Sequence, residues 1–254
     1  MTINLISLGA GVQSSTLALM ANQGKFAQGR PYAAIFADTG WEPKATYDYL
    51  DFLEKELDYP VYRVSAGNLR DKILDDGYSD APFFRKGDNG KTEMGRRQCT
   101  WQFKVRPIRD KVKELLEGVG LPKKQGSVNL WIGISTDEAH RMKPADVKWL
   151  THEWPLIDEG MNRSDCKGWL LRNGYPIPPK SSCLGCPLHS RAHWKWIKDT
   201  SPAEWNQTVE DDRELRLRGE FMVPKCVPLD EYDLGGDDNQ LDMFGNECEG
   251  MCGV

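Results

Sequence analysis

Two sets of residues have the types and spacing to do chemistry. The first is Ser7-Leu8-Gly9-Ala10-Gly11-Val12-Gln13-Ser14-Ser15, a small glycine- and serine-rich loop after the apolar run Ile3 to Leu8. Glycines let a backbone approach a phosphate closely, and a helix that opens there offers free N–H groups and the positive end of its dipole. The hydroxyls of Ser7, Ser14 and Ser15 add neutral donors. No lysine follows, so this is not a Walker loop, and Ser14 stands where a G-x-G-x-x-G fingerprint needs its third glycine. Two glycines also serve a tight turn for steric reasons alone. The second set is Cys183-Leu184-Gly185-Cys186, a C-x-x-C followed by His189 and His193, with Cys99 far upstream. Its chemistry is zinc, a redox dithiol or iron–sulfur. The two residues between Cys186 and His189 are too few for a zinc-finger spacer. A tetrahedral zinc ion could use Cys183, Cys186, His189 and Cys99. An iron–sulfur cluster would take the three thiolates and leave a fourth position.

Positioning these groups requires a sheet. Ile3–Leu8, Tyr32–Ala37, Val61–Val64 and Val128–Ile134 are short apolar runs that read as strands. Helical stretches fall between them: one from Ser14 to Gln23, amphipathic over Thr16 to Asn22, one from Pro43 to about Asp58, Leu69–Leu74, and Trp101–Glu117 with Pro107 disturbing its middle. Asp75 to Gln98 reads as a long polar loop. Continuous apolar strands alternating with helices predict an α/β fold, a doubly wound, mostly parallel sheet covered on both faces. Ligands of such sheets sit at the carboxyl ends of the strands. Three distinctive clusters fall at those ends: Ser7–Ser15, Asp38-Thr39-Gly40, and Ser135–Glu138 just after Gly133.

From Leu150 the strand signal fades and Pro, Trp and Cys become frequent. Asp165–Asn173, His193–Ile197 and Pro202–Arg218 look helical. The expected organisation is a nucleotide-binding α/β domain over residues 1–150, a smaller helical Cys/Trp-rich portion over 151–223, and a Gly- and Asp-rich tail over 224–254. The net charge of −5 gives no global attraction to nucleic acid or to anionic membranes. No apolar run is long enough to span a bilayer and no secretory leader is evident, which predicts a cytoplasmic protein without membrane partners. Seven cysteines in that compartment point to metal or redox chemistry rather than to a disulfide framework.

The order of these motifs resembles the adenylyl-sulfate and phosphoadenylyl-sulfate reductase family, within the adenine nucleotide alpha hydrolase (PP-loop) superfamily. Ser7–Ser15 is similar to its S-G-G-x-D-S loop, and Phe36-Ala37-Asp38-Thr39-Gly40 to its D-T-G strand end. Cys99-Thr100-Trp101-Gln102-Phe103-Lys104-Val105 resembles the C-C-x-x-R-K-V segment of cluster-bearing members. Gly133 through Arg141 resembles G-x-R-x-x-E-S…R, and Trp154 through Pro187 resembles P-L-x-D…W…G-x-P…C-x-x-C. Cys248 and Cys252 are similar to the reductase tail. The chain departs from the pattern at Gln13, where the ATP-cleaving branch has Asp, at Thr100, where a second cysteine stands, and at Ser135, where an arginine stands.

The resemblance implies a sulfur-handling enzyme that binds an adenine nucleotide: ATP, or the sulfonucleotides PAPS and APS. Ser7, Gly9, Gly11, Ser14 and Ser15 would hold phosphate or sulfate, with Asp38, Thr39 and Gly133 beside the nucleotide. Asp137, Glu138 and Arg141 would complete the pocket, Arg141 as an anion clamp. Cys99, Cys183 and Cys186 would bind a 4Fe–4S cluster, with zinc the alternative metal. Cys248 or Cys252 would be the nucleophile that attacks the sulfate sulfur to give a thiosulfonate. A thiol reductant or sulfur-donor protein would be the partner. Two alternatives stand beside this reading. One is ATP-dependent thiolation of a nucleic acid, in which magnesium would be a further cofactor that Gln13 argues against. The other is a non-catalytic nucleotide- or metal-binding module. Cys166, within a helical stretch, reads as packing.

Overall fold

A computed structural model describes residues 2–75, 77–78 and 80–235. In chain order the elements are β1 (Ile3–Leu8), α1 (Val12–Asn22), β2 (Ala33–Asp38), α2 (Lys44–Glu56), β3 (Val61–Ser65), α3 (Leu69–Leu74), β4 (Phe84–Lys86) and β5 (Thr92–Met94). A π-helical turn (Trp101–Val105) then leads into α4 (Arg106–Gly118), followed by β6 (Val128–Ile132) and a 3₁₀ segment (Thr136–Arg141). The rest comprises β7 (Leu150–Glu153), α5 (Pro155–Asp158), α6 (Arg163–Arg172), α7 (Arg191–Thr200), α8 (Pro202–Arg216) and a 3₁₀ turn (Leu229–Glu231). Among the described residues no helix is long and apolar enough to cross a membrane.

These elements fall into two compact units. The first holds residues up to Ala66 and Thr100–Ser181. Its sheet runs β3-β2-β1-β6-β7 with every pairing parallel. Strand residues alternate between two cores. Ile6, Leu8, Ala34, Phe36 and Trp131 pack on α1, α2 and α6, while Ile3, Leu5, Ala33, Ile35, Val128 and Leu130 pack on α4. The fold class is therefore the expected α/β, with a parallel sheet covered on both faces. The order reverses at β1: β2 and β3 lie to one side, β6 and β7 to the other. The crevice between β1 and β6 is thus the switch point at which such sheets bind ligands.

Two local expectations are corrected and a third is met. The helix after β1 is not amphipathic, because every residue from Val12 to Ala21 is buried; it lies under α6, with Cys166 and Leu170 in its core. The strand signal does not end at 134, since β7 forms the sheet edge from Leu150-Thr151-His152-Glu153. An edge strand in contact with one core tolerates the polar residues that hid it. Pro107 lies within a helical run that is continuous from Trp101 to Gly118, and the run widens to a π turn over Trp101–Val105 just before it, as a proline inside a helix disturbs the hydrogen-bond ladder.

The second unit holds Gly67–Cys99 and the described residues from Ser182 onward. The polar stretch before Cys99 contains the β4–β5 hairpin, whose Phe84 also bridges to Phe221. Arg70 of α3 meets the buried Asp211 of α8 through two hydrogen bonds of 2.9 and 2.7 Å. Asp212, also buried, accepts the backbone N–H groups of Met222 and Leu229 and the Arg216 guanidinium. The boundaries read from the sequence at 150 and 223 coincide with neither unit. The first reaches Ser181, and the second takes in the insertion between β3 and the π turn.

Candidate nucleotide site of the sheet unit

The loop after β1 turns sharply. Its left-handed residue is Ala10, with φ of 56°, rather than either flanking glycine. Gly11 caps α1 in an extended conformation with no side-chain cap, and the first turn of the helix carries no acidic residue. Its positive end is left for something else to neutralise. Ser14 braces the loop from inside: its Oγ accepts the Gly9 N–H at 3.1 Å and lies 3.4 Å from the Gly11 carbonyl. Ser7 and Ser14 are buried. Ser15 is buried beside the Tyr49 hydroxyl, which donates to the Pro176 carbonyl at 3.1 Å. Ser15 therefore faces α2.

The loop after β6 presses against this turn. A Cβ on Gly133 would meet Ser14 Cα and N at 2.6 Å, so only glycine fits. Beyond it Ser135 donates to Asp137 Oδ1 at 2.6 Å and accepts from Gln13 Nε2 at 3.3 Å. Arg141 is ion-paired to the buried Glu138 within the 3₁₀ segment. At the end of β2, Asp38 Oδ1 closes its own turn by accepting the Gly40 N–H at 2.7 Å and also accepts the Tyr47 hydroxyl at 2.7 Å. Burial, reinforced by that carboxylate, pushes the Tyr47 phenol well above its usual range. Thr39 is buried with its Oγ1 3.5 Å from Glu42.

The structure thus brings Gly9, Gly11, Ser14, Gly133 and Asp137 together at the switch point. Asp38 and Thr39 stand at the neighbouring strand end, with their oxygens engaged in the turn. Sequence reasoning did not single out Glu42 as a site residue, and Lys104 entered it only within the segment Cys99 to Val105. The two make a buried ion pair at 3.1 Å. Lys104 also lines a small pocket with Leu8, Gly9, Phe36, Ala37, Ile108 and Ser181. The glycine loop, which has no lysine of its own, therefore has one supplied by the π turn. Sequence reasoning also missed Arg163, whose Nη1 donates to Gln13 Oε1 at 2.8 Å. No local signal marks it, because its place depends on how α6 crosses α1.

The predicted metal residues belong to the second unit. Cys183–Cys186 forms a turn closed by the Cys186 N–H on the Cys183 carbonyl at 3.1 Å. His189 clasps it: its backbone N–H reaches the Cys186 carbonyl, and its ring Nε2 lies 2.9 Å from the Cys183 carbonyl and 3.2 Å from that of Leu184. Carbonyls only accept, so Nε2 carries the proton. That nitrogen is committed to the turn, so a zinc ion on His189 would have to take the other ring nitrogen, Nδ1. Cys99, Cys183 and Cys186 are each partly exposed. Among the described residues no group of three or more Cys, His, Asp or Glu side chains is arranged to hold a metal. Cys166 is packed in the core as expected, and Cys248 and Cys252 lie outside the described residues.

No protein-family model matches the chain. An uncharacterized 37.8 kDa protein of Escherichia phage 186 is 39% identical over 69 residues, which cover 27% of this chain and 19% of that one. The match thus spans about a fifth of the phage protein. Among solved structures, phosphoadenylyl-sulfate (PAPS) reductase from Candida auris, in its phosphate complex, is similar over 70% of this chain and 74% of that one, at 14% identity and a TM-score of 0.44.

Proposed function

We propose that the sheet unit binds an adenine nucleotide, or the sulfate carried on one, at the carboxyl ends of β1 and β6, and that the chain is a sulfur-handling enzyme of the sulfonucleotide-reductase kind. The observation that carries the reading is the contact between Gly133 and Ser14. It holds two glycine-bearing strand ends together beside an uncapped helix start at the switch point. Backbone N–H groups in such a crevice suit phosphate or sulfate. Lys104, ion-paired to Glu42, lines the pocket beside Gly9. The motif order described above supports the sulfur chemistry.

Calorimetry with ATP, AMP and adenylyl sulfate tests the nucleotide. Binding of at least one, abolished by Gly11→Val, is expected; no binding of any rejects the reading. Turnover of adenylyl sulfate with a thiol reductant, set against ATP with a nucleic acid, then separates reduction from thiolation. In this reading Cys248 or Cys252 is the attacking thiol, so removing residues 247–254 abolishes turnover and leaves nucleotide binding intact. A cluster on Cys99, Cys183 and Cys186 requires those side chains to close around iron. Iron and sulfide counts on anaerobically purified protein test it, and stoichiometric zinc without sulfide rejects it.

A further inference from the structure

Residues 142–149 join the 3₁₀ segment, Thr136–Arg141, to β7. The Met142 N–H donates to the Ala139 carbonyl at 3.1 Å, so the stretch runs on directly from the turn that carries Glu138 and Arg141. Ala145 and Val147 are partly buried against the core under α4. Polar ties hold the stretch from two elements. From α4, Arg109 donates Nη1 to Asp146 Oδ2 at 3.3 Å and Nη2 to Asp146 Oδ1, with its guanidinium 4.7 Å from the centre of the Trp101 ring. From β7, His152 Nδ1 lies 2.8 Å from the Lys143 carbonyl. A carbonyl only accepts, so Nδ1 carries the proton of a neutral ring.

This closed arrangement leaves polar atoms unsatisfied. Arg109 Nε and His152 Nε2 are buried without hydrogen-bond partners among the described residues. A second proton on the imidazole can go only to Nε2, where it would be a buried donor with nothing to meet. Two charged groups act on the ring: Arg109 of α4 repels an imidazolium, and Asp146 attracts one but is already engaged by Arg109. The aromatic neighbour, Trp154 at 6.4 Å between ring centres, carries no charge. Arg109 also keeps the Asp146 carboxyl below the usual carboxylate range, so Asp146 stays ionised while His152 titrates. A protonated ring is relieved by turning out to water, and turning breaks its bond to Lys143.

We propose that residues 142–149 form a pH-operated latch: His152 and Arg109 hold it shut while the imidazole is neutral, and a proton on His152 releases it together with the end of the 3₁₀ segment. The open latch takes up that proton near pH 6.5, about the unperturbed value, and the shut latch resists it. Closure is therefore fully favoured above about pH 6.5 and weakens as the pH falls. The consequence for ligand binding rests on the proposed nucleotide site, whose loop after β6 leads into the 3₁₀ segment; the latch itself does not rest on it.

Amide hydrogen exchange on the full chain between pH 8 and 5.5 tests the latch, read as protection factors so that the intrinsic pH dependence of exchange cancels. In wild type, protection over residues 139–149 is expected to fall by up to about 10-fold from pH 8 to pH 5.5, with β1 and β2 unchanged. His152→Asn keeps a donor for the Lys143 carbonyl and cannot titrate, so its protection should not change with pH. Constant protection in wild type overturns the proposal, as does an equal fall in His152→Asn. A fall shared by β1 and β2 also overturns it, because it marks general loosening of the sheet. If His152→Asn does not fold, Asp146→Asn decides which group titrates. Its protection should be lower than wild type at pH 8 with the fall toward pH 5.5 retained, and a fall that vanishes overturns the role of His152. Calorimetry with AMP at the same pH values tests the consequence. The affinity of wild type relative to His152→Asn, a ratio in which the titration of AMP cancels, should drop in parallel with protection; a ratio that ignores pH overturns the link to the site. If AMP binds at no pH, the nucleotide reading fails while exchange alone still decides the latch.

Discussion

Gly133 lies so close to Ser14 that a side chain at 133 would occupy the space of the Ser14 backbone, 2.6 Å from its Cα and its N. The contact joins the end of β6 to the first turn of α1 across the point where the strand order reverses. Rigid backbone stands on both sides, so no rotamer change can relieve a larger residue there.

Gly133→Ala should therefore destabilise the chain by about 1–3 kcal/mol, as overpacking of a tight core does. For a protein of this size that is a fall in melting temperature of roughly 2–10 °C. Thermal denaturation measures it. Nucleotide affinity should drop in the folded fraction as well, because α1 must move from the crevice. A variant as stable as wild type and binding as tightly would show that the contact is slack.

Lys104 and Glu42 form an ion pair with side chains 7% and 1% exposed. Removing one partner leaves the other charge buried, which typically costs about 3–5 kcal/mol, whereas replacing both with apolar groups is often near neutral. Lys104→Met should thus destabilise strongly, and Lys104→Met with Glu42→Leu should recover most of the loss. Denaturant unfolding of the four proteins in the cycle measures the coupling. Additive effects would mean that water reaches the pair. The double variant should still bind nucleotide less well, since Lys104 borders Gly9.

Much of the sheet was legible because its strands are apolar without interruption. Ile3–Leu8 carries residues for both cores, Leu5 in one and Ile6 in the other. The loops at the strand ends were legible for a related reason, as Gly, Ser and Asp clusters stand out against such runs. β7 was hidden because an edge strand tolerates the polar residues Thr151, His152 and Glu153. Ala10 was hidden because a left-handed alanine violates the preference that makes glycine the usual signal; the two glycines beside it drew the attention instead. Arg163 and Lys104 come from distant segments, and only the crossing of α6 and the π turn reveals them. The three cysteines were legible as a motif, but spacing does not fix how sulfur atoms face one another.

In the second unit, Arg70→Met should leave Asp211, with a side chain 1% exposed, holding only the weaker Gln207 amide at 3.0 Å among its described hydrogen bonds. The cost is about 2 kcal/mol, below that of a fully buried pair because Arg70 is itself 31% exposed. Limited proteolysis should then cut first between Gly67 and Cys99 or after Ser182. First cleavage within the sheet unit would contradict this assignment of the pair.

His152 predicts a pH dependence. Its ring is held below the usual histidine range, mainly by burial, with the Arg109 guanidinium acting the same way; the Lys143 carbonyl and Asp146 oppose them. Nδ1 lies 2.8 Å from the Lys143 carbonyl, so it carries the proton of the neutral ring. Nε2 is buried with no hydrogen-bond partner among the described residues. A second proton would therefore sit on an unsatisfied buried donor. The unfolded chain takes up that proton near pH 6.5, about the unperturbed value, while the folded chain resists it. The contribution of His152 to stability is thus complete above about pH 6.5 and declines as the pH falls, until the folded ring itself protonates. His152→Asn keeps a donor for Lys143 but cannot titrate. Its melting temperature should lie below wild type at pH 8, and the gap should narrow steadily between about pH 6.5 and 5. A gap that stays constant over that range would mean that His152 protonates equally well folded and unfolded.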